Sequence, residues 1–307
     1  MFTAYITHTT SQKHDMGAHH PECPERVITI NDQLIASGIF DHLSHYEAPK
    51  ASLEQLQRVH SPQYIANIIA QSPSTGVYDI DGDTLMNPYT LDAALHAAGA
   101  TILGVDLVMS GQAPNAFCNT RPPGHHAGRA SASGFCLFNN IAVGAAHALQ
   151  QYGLERVAIV DFDVHHGDGT EDIFKDNSNV MLCSTFQHPF YPHTGADSSN
   201  AHIINVPLAA GCTSDEFRSA ISNQWLPALK AFKPQFLFIS AGFDAHIEDD
   251  MSGLALKDAD FLWVSETLSE FAEQYCEGRI VSTLEGGYAL QALKRCVIAH
   301  IKTLSKL

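Results

Sequence analysis

Basic residues are scarce in this sequence: 17 Lys and Arg stand against 33 Asp and Glu, a formal charge of −16 over 307 residues. Such a chain repels phosphate backbones, which excludes a general nucleic-acid grip, while a Lys-rich partner would be attracted. No run approaches 18 consecutive apolar residues, so no membrane-spanning helix is expected. The start, Met1 to Ile6, has neither a basic flank nor a long apolar stretch followed by a cleavage site, and the reading is of an unexported, cytoplasmic protein. The seven cysteines (23, 118, 136, 183, 212, 276 and 296) are odd in number, scattered and never in a Cys-x-x-Cys pair. Neither a zinc finger nor a disulfide framework is indicated, and reduced thiols fit best. Gly-x-Gly-x-x-Gly, Walker and Gly-x-Ser-x-Gly sequences are also missing, so phosphate-cradling loops and a serine nucleophile have no support.

What is present is a chain that is 45% hydrophobic and 16% charged, enough to bury a sizeable core. Apolar, β-branched runs of four to six residues alternate with helical segments, the pattern of an open parallel β-sheet flanked by helices. Expected strands are 4–7, 116–119, 157–160, 180–184, 202–206, 236–240 and 280–284. Expected helices are 24–37, 53–59, 62–70, 91–110, 139–152, 214–230, 257–275 and 290 onward. No repeat or long flexible linker divides the chain, and the expectation is one α/β domain over residues 1–307.

Ligands of parallel sheets settle outside the carboxyl ends of the strands. Four expected strands end in polar groups there: Arg121 to His126, Asp161 to Asp168, Ala241 to Asp244 and Glu285 to Tyr288. Asp163 and His165 are two apart, so in extended backbone they share a face and can chelate one ion, with Asp244 as a third ligand from another strand. Three nitrogen and oxygen ligands with an open position describe a catalytic zinc site, and iron(II) suits the same donors. Taken alone, the pair equally suits capping of the following helix. The His125-His126 pair on a Gly-Pro loop presents two imidazoles, each needing a carboxylate to fix its tautomer, and Asp161 and Asp168 are the available partners.

These residues carry a resemblance. His20-Pro21-Glu22-Cys23-Pro24-Glu25-Arg26, Arg121 to His126, Gly134-Phe135-Cys136, Asp161 to Gly169, Ser240 to Ala245 and Glu285 to Tyr288 are similar, in order, to the motifs of the zinc-dependent histone deacetylase superfamily. That resemblance implies the arginase/deacetylase fold, one zinc per chain held by Asp163, His165 and Asp244, and Tyr288 as the phenol that assists in polarising the scissile carbonyl. It further implies His126 with Asp168 as general base, and His125 with Asp161 as its neighbour. Phe135 and Tyr191 become channel walls, Asp83 a rim carboxylate, and Arg26 the arginine of an inner cavity. A structural potassium ion is implied at Asp161, Ser184, and main-chain carbonyls of Asp163, His165 and Thr185.

Departures bear on the substrate. Cys23 and Phe186 stand where arginine and histidine are frequent, both outside the inferred ligand set. Met251 stands where the acetylpolyamine branch can use a glutamate, which favours an acetylated lysine peptide or protein over a small acetyl-amide such as an acetylpolyamine. Acids at 248, 249 and 250 lie within reach of the entrance. Gly167 and His246 occupy positions where two-manganese arginases carry further ligands, so a single metal is expected.

Overall fold

The computed structural model describes residues 2–198 and 200–307. Its strands are β1 (Ala4–Thr7), β2 (Ser44–Glu47), β3 (Tyr78–Asp79), β4 (Leu85–Met86), β5 (Ala116–Cys118), β6 (Val157–Asp161), β7 (Val180–Gln187), β8 (Ile203–Leu208), β9 (Leu237–Ala241) and β10 (Ile280–Leu284). The α-helices are α1 (Glu25–Ala36), α2 (Leu53–Gln57), α3 (Pro62–Gln71), α4 (Thr90–Met109), α5 (Asn140–Tyr152), α6 (Asp168–Phe174), α7 (Ser214–Ala220), α8 (Leu226–Phe232), α9 (Asp258–Tyr275) and α10 (Leu290–Ser305). Eight strands form one sheet in the order β2-β1-β5-β10-β9-β6-β7-β8, every pair parallel, while β3 and β4 make a separate antiparallel hairpin.

Because side chains alternate across a strand, successive residues feed opposite cores. Ala158 and Val160 join the core shared with α1, α7, α9 and α10, whereas Val157 and Ile159 join the one shared with α3, α4 and α5. Covered on both faces, the central strands read as unbroken apolar runs. The helix α4 is long and apolar enough to cross a bilayer, but 72% of that stretch is buried inside the protein.

Local chemistry sets several boundaries. The Ser61 side chain accepts the Tyr64 N–H and Pro62 opens α3, while Asn139 caps α5 and Gly153 ends it in the left-handed region. The expected helix 214–230 is interrupted between α7 and α8 by a π-helical turn, Ile221–Trp225. Pro227 cannot donate to the carbonyl of Asn223, which is where the helix widens.

The strand order positions the site. From β6 the chain moves outward through β7 to β8, whereas from β9 it moves the other way to β10. The adjacent strands β6 and β9 therefore flank a topological switch point, where a crevice opens at their carboxyl ends. Asp163 and His165 follow β6, and Asp244 follows β9.

Candidate active site

The turn after β6 is shaped by its own carboxylates. Asp161 Oδ1 accepts the Asp163 N–H at 3.1 Å, Asp163 Oδ1 accepts the His165 N–H at 2.9 Å, and Asp244 Oδ1 accepts the Val164 N–H at 2.9 Å. Donor atoms of Asp163, His165 and Asp244 consequently lie within 4.8 Å of one another, and all three residues are buried. His165 Nδ1 is 3.0 Å from Asp163 Oδ1 and 3.2 Å from Asp244 Oδ2. The Gly286 N–H donates to Asp163 Oδ2 at 2.8 Å. A Cβ on Gly286 would fall against both carboxylates, 2.6 Å from Asp163 Oδ2, so only glycine lets the loop after β10 approach this closely.

This donor set fits a divalent cation. Asp244 Oδ2 is buried and, apart from the 3.2 Å approach of His165 Nδ1, has no hydrogen-bond partner. Burial opposes charge on His165, yet the Asp163 and Asp244 carboxylates push its pKa up to about 10, a measure of the negative field they create. One imidazole nitrogen and two carboxylate oxygens with room for more ligands suit zinc or iron(II).

Two histidine–carboxylate pairs stand beside it. His125 Nδ1 is 2.9 Å from Asp161 Oδ2, His126 Nδ1 is 2.7 Å from Asp168 Oδ1, and the two rings are 4.1 Å apart. Their loop is pinned by Glu285 Oε2, which accepts the N–H groups of Gly124 at 2.7 Å and His125 at 3.1 Å. Burial opposes charge on His125 too, but Asp163 and Asp161 hold its pKa well above the ordinary value. Burial, followed by the neighbouring His125, lowers His126 to about 4. The two imidazoles are thereby pushed in opposite directions.

A cavity of about 180 Å³ connects these groups to the surface. His126, His165 and Tyr288 line its deep end, Phe135, Phe190 and Tyr191 its sides, and exposed Asp83 with half-buried Met251 its mouth. The Phe135 and Tyr288 rings are 6.0 Å apart, and Phe190 stacks on His165 at 5.5 Å. The Phe135 N–H donates to Thr84 Oγ1 of the β3–β4 hairpin at 3.0 Å, and the edge of His20 meets the ring at 4.6 Å. Burial and the Asp244 carboxylate hold the Tyr288 phenol well above its ordinary pKa, so it keeps its proton. The Arg26 guanidinium lies 5.0 Å from the Tyr288 ring centroid, beneath it in the interior. Surface hollows of about 610 and 760 Å³ contain none of these residues, while another of about 420 Å³ is lined by His126 and Asp168.

Every residue expected for the metal, the acid–base pairs and the channel is thus drawn to one end of β6, β9 and β10. Asp161 and Ser184 are register partners, and the Ser184 hydroxyl is buried without a partner beside buried Thr185. His246 points elsewhere: its Nε2 is 3.1 Å from Asp258 Oδ1 and its Nδ1 accepts the Glu248 N–H at 3.1 Å. With Cys296 it forms a second cluster of ligand-type atoms. There Nδ1 faces a donor and Arg295 already pairs with Asp258, so the cluster is a satisfied polar group. Sequence reasoning assigned no role to Phe190 or Glu285 and gave Asp249 only a place near the entrance. The adjacency of Phe190 to Tyr191 was a usable signal for the first. Glu285 opened a strand-end motif, but nothing in it pointed to the His125 loop. Asp249, one of three acids expected near the entrance, is only 5% exposed and faces inward, unlike Glu248 and Asp250.

Known proteins resemble this chain over most of its length. A family model described as the histone deacetylase domain matches residues 20–304. The chain is 38% identical to a probable deacetylase of Archaeoglobus fulgidus, over 95% of this chain and 82% of that protein. It is 36% identical to a histone deacetylase-like amidohydrolase of Pseudomonas aeruginosa, over 94% and 78% of the two chains. It is also 36% identical to the polyamine deacetylase HDAC10 of Mus musculus, over 92% of this chain and 44% of that one. The crystal structure of the HDA15 HD domain superposes with a TM-score of 0.93 at 33% identity, covering 99% of this chain and 88% of that one.

Proposed function

The chain belongs to the histone deacetylase family, and from that premise we propose that it is a zinc-dependent amidohydrolase removing acetyl or short acyl groups from lysine side chains. The observation that carries this reading is the convergence of Asp163, His165 and Asp244 next to His126 and Tyr288 at the deep end of a narrow, aromatic-walled cavity. When bound by those three residues, a zinc ion supplies Lewis-acid polarisation of the amide carbonyl and lowers the pKa of water towards about 7. Iron(II) would do the same chemistry.

The protein's own groups do the rest. Phe135, Phe190 and Tyr191 enclose a methylene stem and exclude water around the reacting amide. Asp168 holds Nδ1 of His126, leaving Nε2 as the basic nitrogen that takes a proton from the attacking water and returns it to the leaving amine. Tyr288 donates its hydroxyl hydrogen to the carbonyl oxygen as that atom gains charge. Asp161 keeps His125 oriented beside that centre. The buried, unpartnered Ser184 hydroxyl beside Asp161 supports a structural potassium ion, which these side chains and the main-chain carbonyls of Asp163, His165 and Thr185 would hold. All seven cysteines are free, which supports a reducing, cytoplasmic setting.

A second reading, hydrolysis of acetylpolyamines, is favoured by the likeness to a polyamine deacetylase and by exposed acids at Glu248 and Asp250. Met251 at the mouth, in place of an acid, favours acyl-lysine. The deciding experiment compares a fluorogenic acetyl-lysine peptide with acetylputrescine on zinc-loaded protein, with a chelated control. Turnover of the peptide should dominate and vanish on chelation. Activity indifferent to chelation, or a preference for acetylputrescine, would overturn the respective half of the reading.

A further inference from the structure

We propose that Asp249 is a positioning residue that holds the Tyr288 phenol at the deep end of the cavity; the proposal rests on the deacetylase reading above. The loop after β10 runs Glu285-Gly286-Gly287-Tyr288, with Gly287 at φ +118°, a backbone setting that other side chains rarely adopt. Two successive glycines give the phenol little constraint of its own, so its place depends on what grips the surrounding peptide groups. From one side Arg26 donates to the carbonyl oxygens of Glu285 and of Gly287, the latter at 2.7 Å. From the other side Asp249 Oδ2 accepts the N–H of Tyr288 at 2.6 Å and that of Ala289 at 2.9 Å. Its Oδ1 accepts the Met251 N–H at 3.0 Å.

A single buried carboxylate therefore joins three parts of the site: the loop that carries Asp244 five residues earlier, the phenol, and Met251 at the mouth. It also sits at the N-terminal end of α10, where Ala289 offers no side-chain cap and the peptide dipoles favour a negative charge. Its neighbours do not share this arrangement, since Glu248 and Asp250 are exposed and Glu248 pairs with Arg295 at the surface. Asp249 does not line the cavity, and its hydrogen-bond partners are backbone N–H groups, so any effect on turnover passes through the groups it orients.

The test is a cycle of four zinc-loaded proteins: wild type, Asp249→Ala, Tyr288→Phe and the double variant. Each is assayed on the acetyl-lysine peptide, with metal content and unfolding temperature recorded. Asp249→Ala is expected to lower kcat roughly 10- to 100-fold, with KM changed less than about two-fold and metal retained. In the Tyr288→Phe background, where no hydroxyl remains to be positioned, the same substitution is expected to change kcat less than about two-fold. Equal losses in both backgrounds would make Asp249 general scaffolding and overturn the proposal, as would an unchanged kcat in Asp249→Ala. If the alanine variant does not fold, Asp249→Asn, which keeps the size and one acceptor oxygen, carries the same comparison. Full activity of Tyr288→Phe would overturn the reading of the phenol and this proposal with it, a result distinct from failure of Asp249 alone.

Discussion

Removing one charge from the buried cluster beneath the cavity should unfold the protein measurably sooner. Glu22 is fully enclosed and serves two arginines: Oε2 accepts Arg121 Nη2 at 2.7 Å, Oε1 accepts Arg26 Nη1 at 3.1 Å, and Arg121 Nε also donates to Oε1. His14 Nε2 lies 3.3 Å from Oε2. Burial opposes the carboxylate, but Arg121 and His14 hold its pKa well below the ordinary value. In Glu22→Gln the shape stays and the charge goes, leaving two interior guanidinium groups without their shared counter-charge. Breaking a buried pair in this way costs about 3–5 kcal/mol, a large part of a total stability of roughly 5–15 kcal/mol. At roughly 2 °C per kcal/mol for a chain of this size, Tm should fall by about 6–10 °C. Because Arg26 also grips the carbonyls of Glu285 and Gly287, kcat should fall with it. Thermal unfolding by circular dichroism, with exposed Glu25→Gln as a control expected to stay within about 0.5 kcal/mol, reads the difference. A Glu22→Gln protein melting within about 1 °C of wild type would refute this account of the cluster.

Gly286→Ala should cost stoichiometric divalent-metal binding, because the added methyl meets the carboxylates of Asp163 and Asp244; overpacking of about 1–3 kcal/mol accompanies it, and a variant with full metal content would contradict the geometry. Acid should destabilise the fold through His60 and His300, both lowered to about 4 by burial. His60 Nδ1 donates to the Gly128 carbonyl at 2.8 Å and its Nε2 accepts the Asn139 N–H at 2.9 Å, so the neutral ring is the one that fits. The unfolded chain takes up these protons first, near pH 6.5, and the stabilisation present above that pH is lost as pH falls towards 4, on the order of 3 kcal/mol for each ring. Denaturant titrations of wild type and His300→Phe should diverge by that amount in total between pH 6.5 and 4; parallel pH dependences would show that the ring is not held neutral.

The central strands and long helices were legible because apolar runs and periodic faces are written directly in residue order. The edge strand β2 was not: Ser44–Glu47 alternates between half-buried and exposed positions and carries polar groups that also suit a loop. The β3–β4 hairpin escaped for a similar reason, since its pairing is only two residues long. The candidate metal ligands could be picked out from their two-residue spacing and strand-end setting, whereas the contacts of Asp249 and Glu22 could not. Their importance lies in which way a side chain turns and what it meets, and residue order does not encode that for an acid in a loop.

The opposite departures of the chain from β6 and β9 have an evolutionary consequence. The chain leaves β6 and β9 in opposite directions along the sheet, so the stretches beyond Asp163 and Asp244 run to different flanks of the crevice. Insertions there would resculpt which molecules enter while the sheet keeps the reactive groups in register. A scaffold arranged this way can diversify its diet by editing its rim alone.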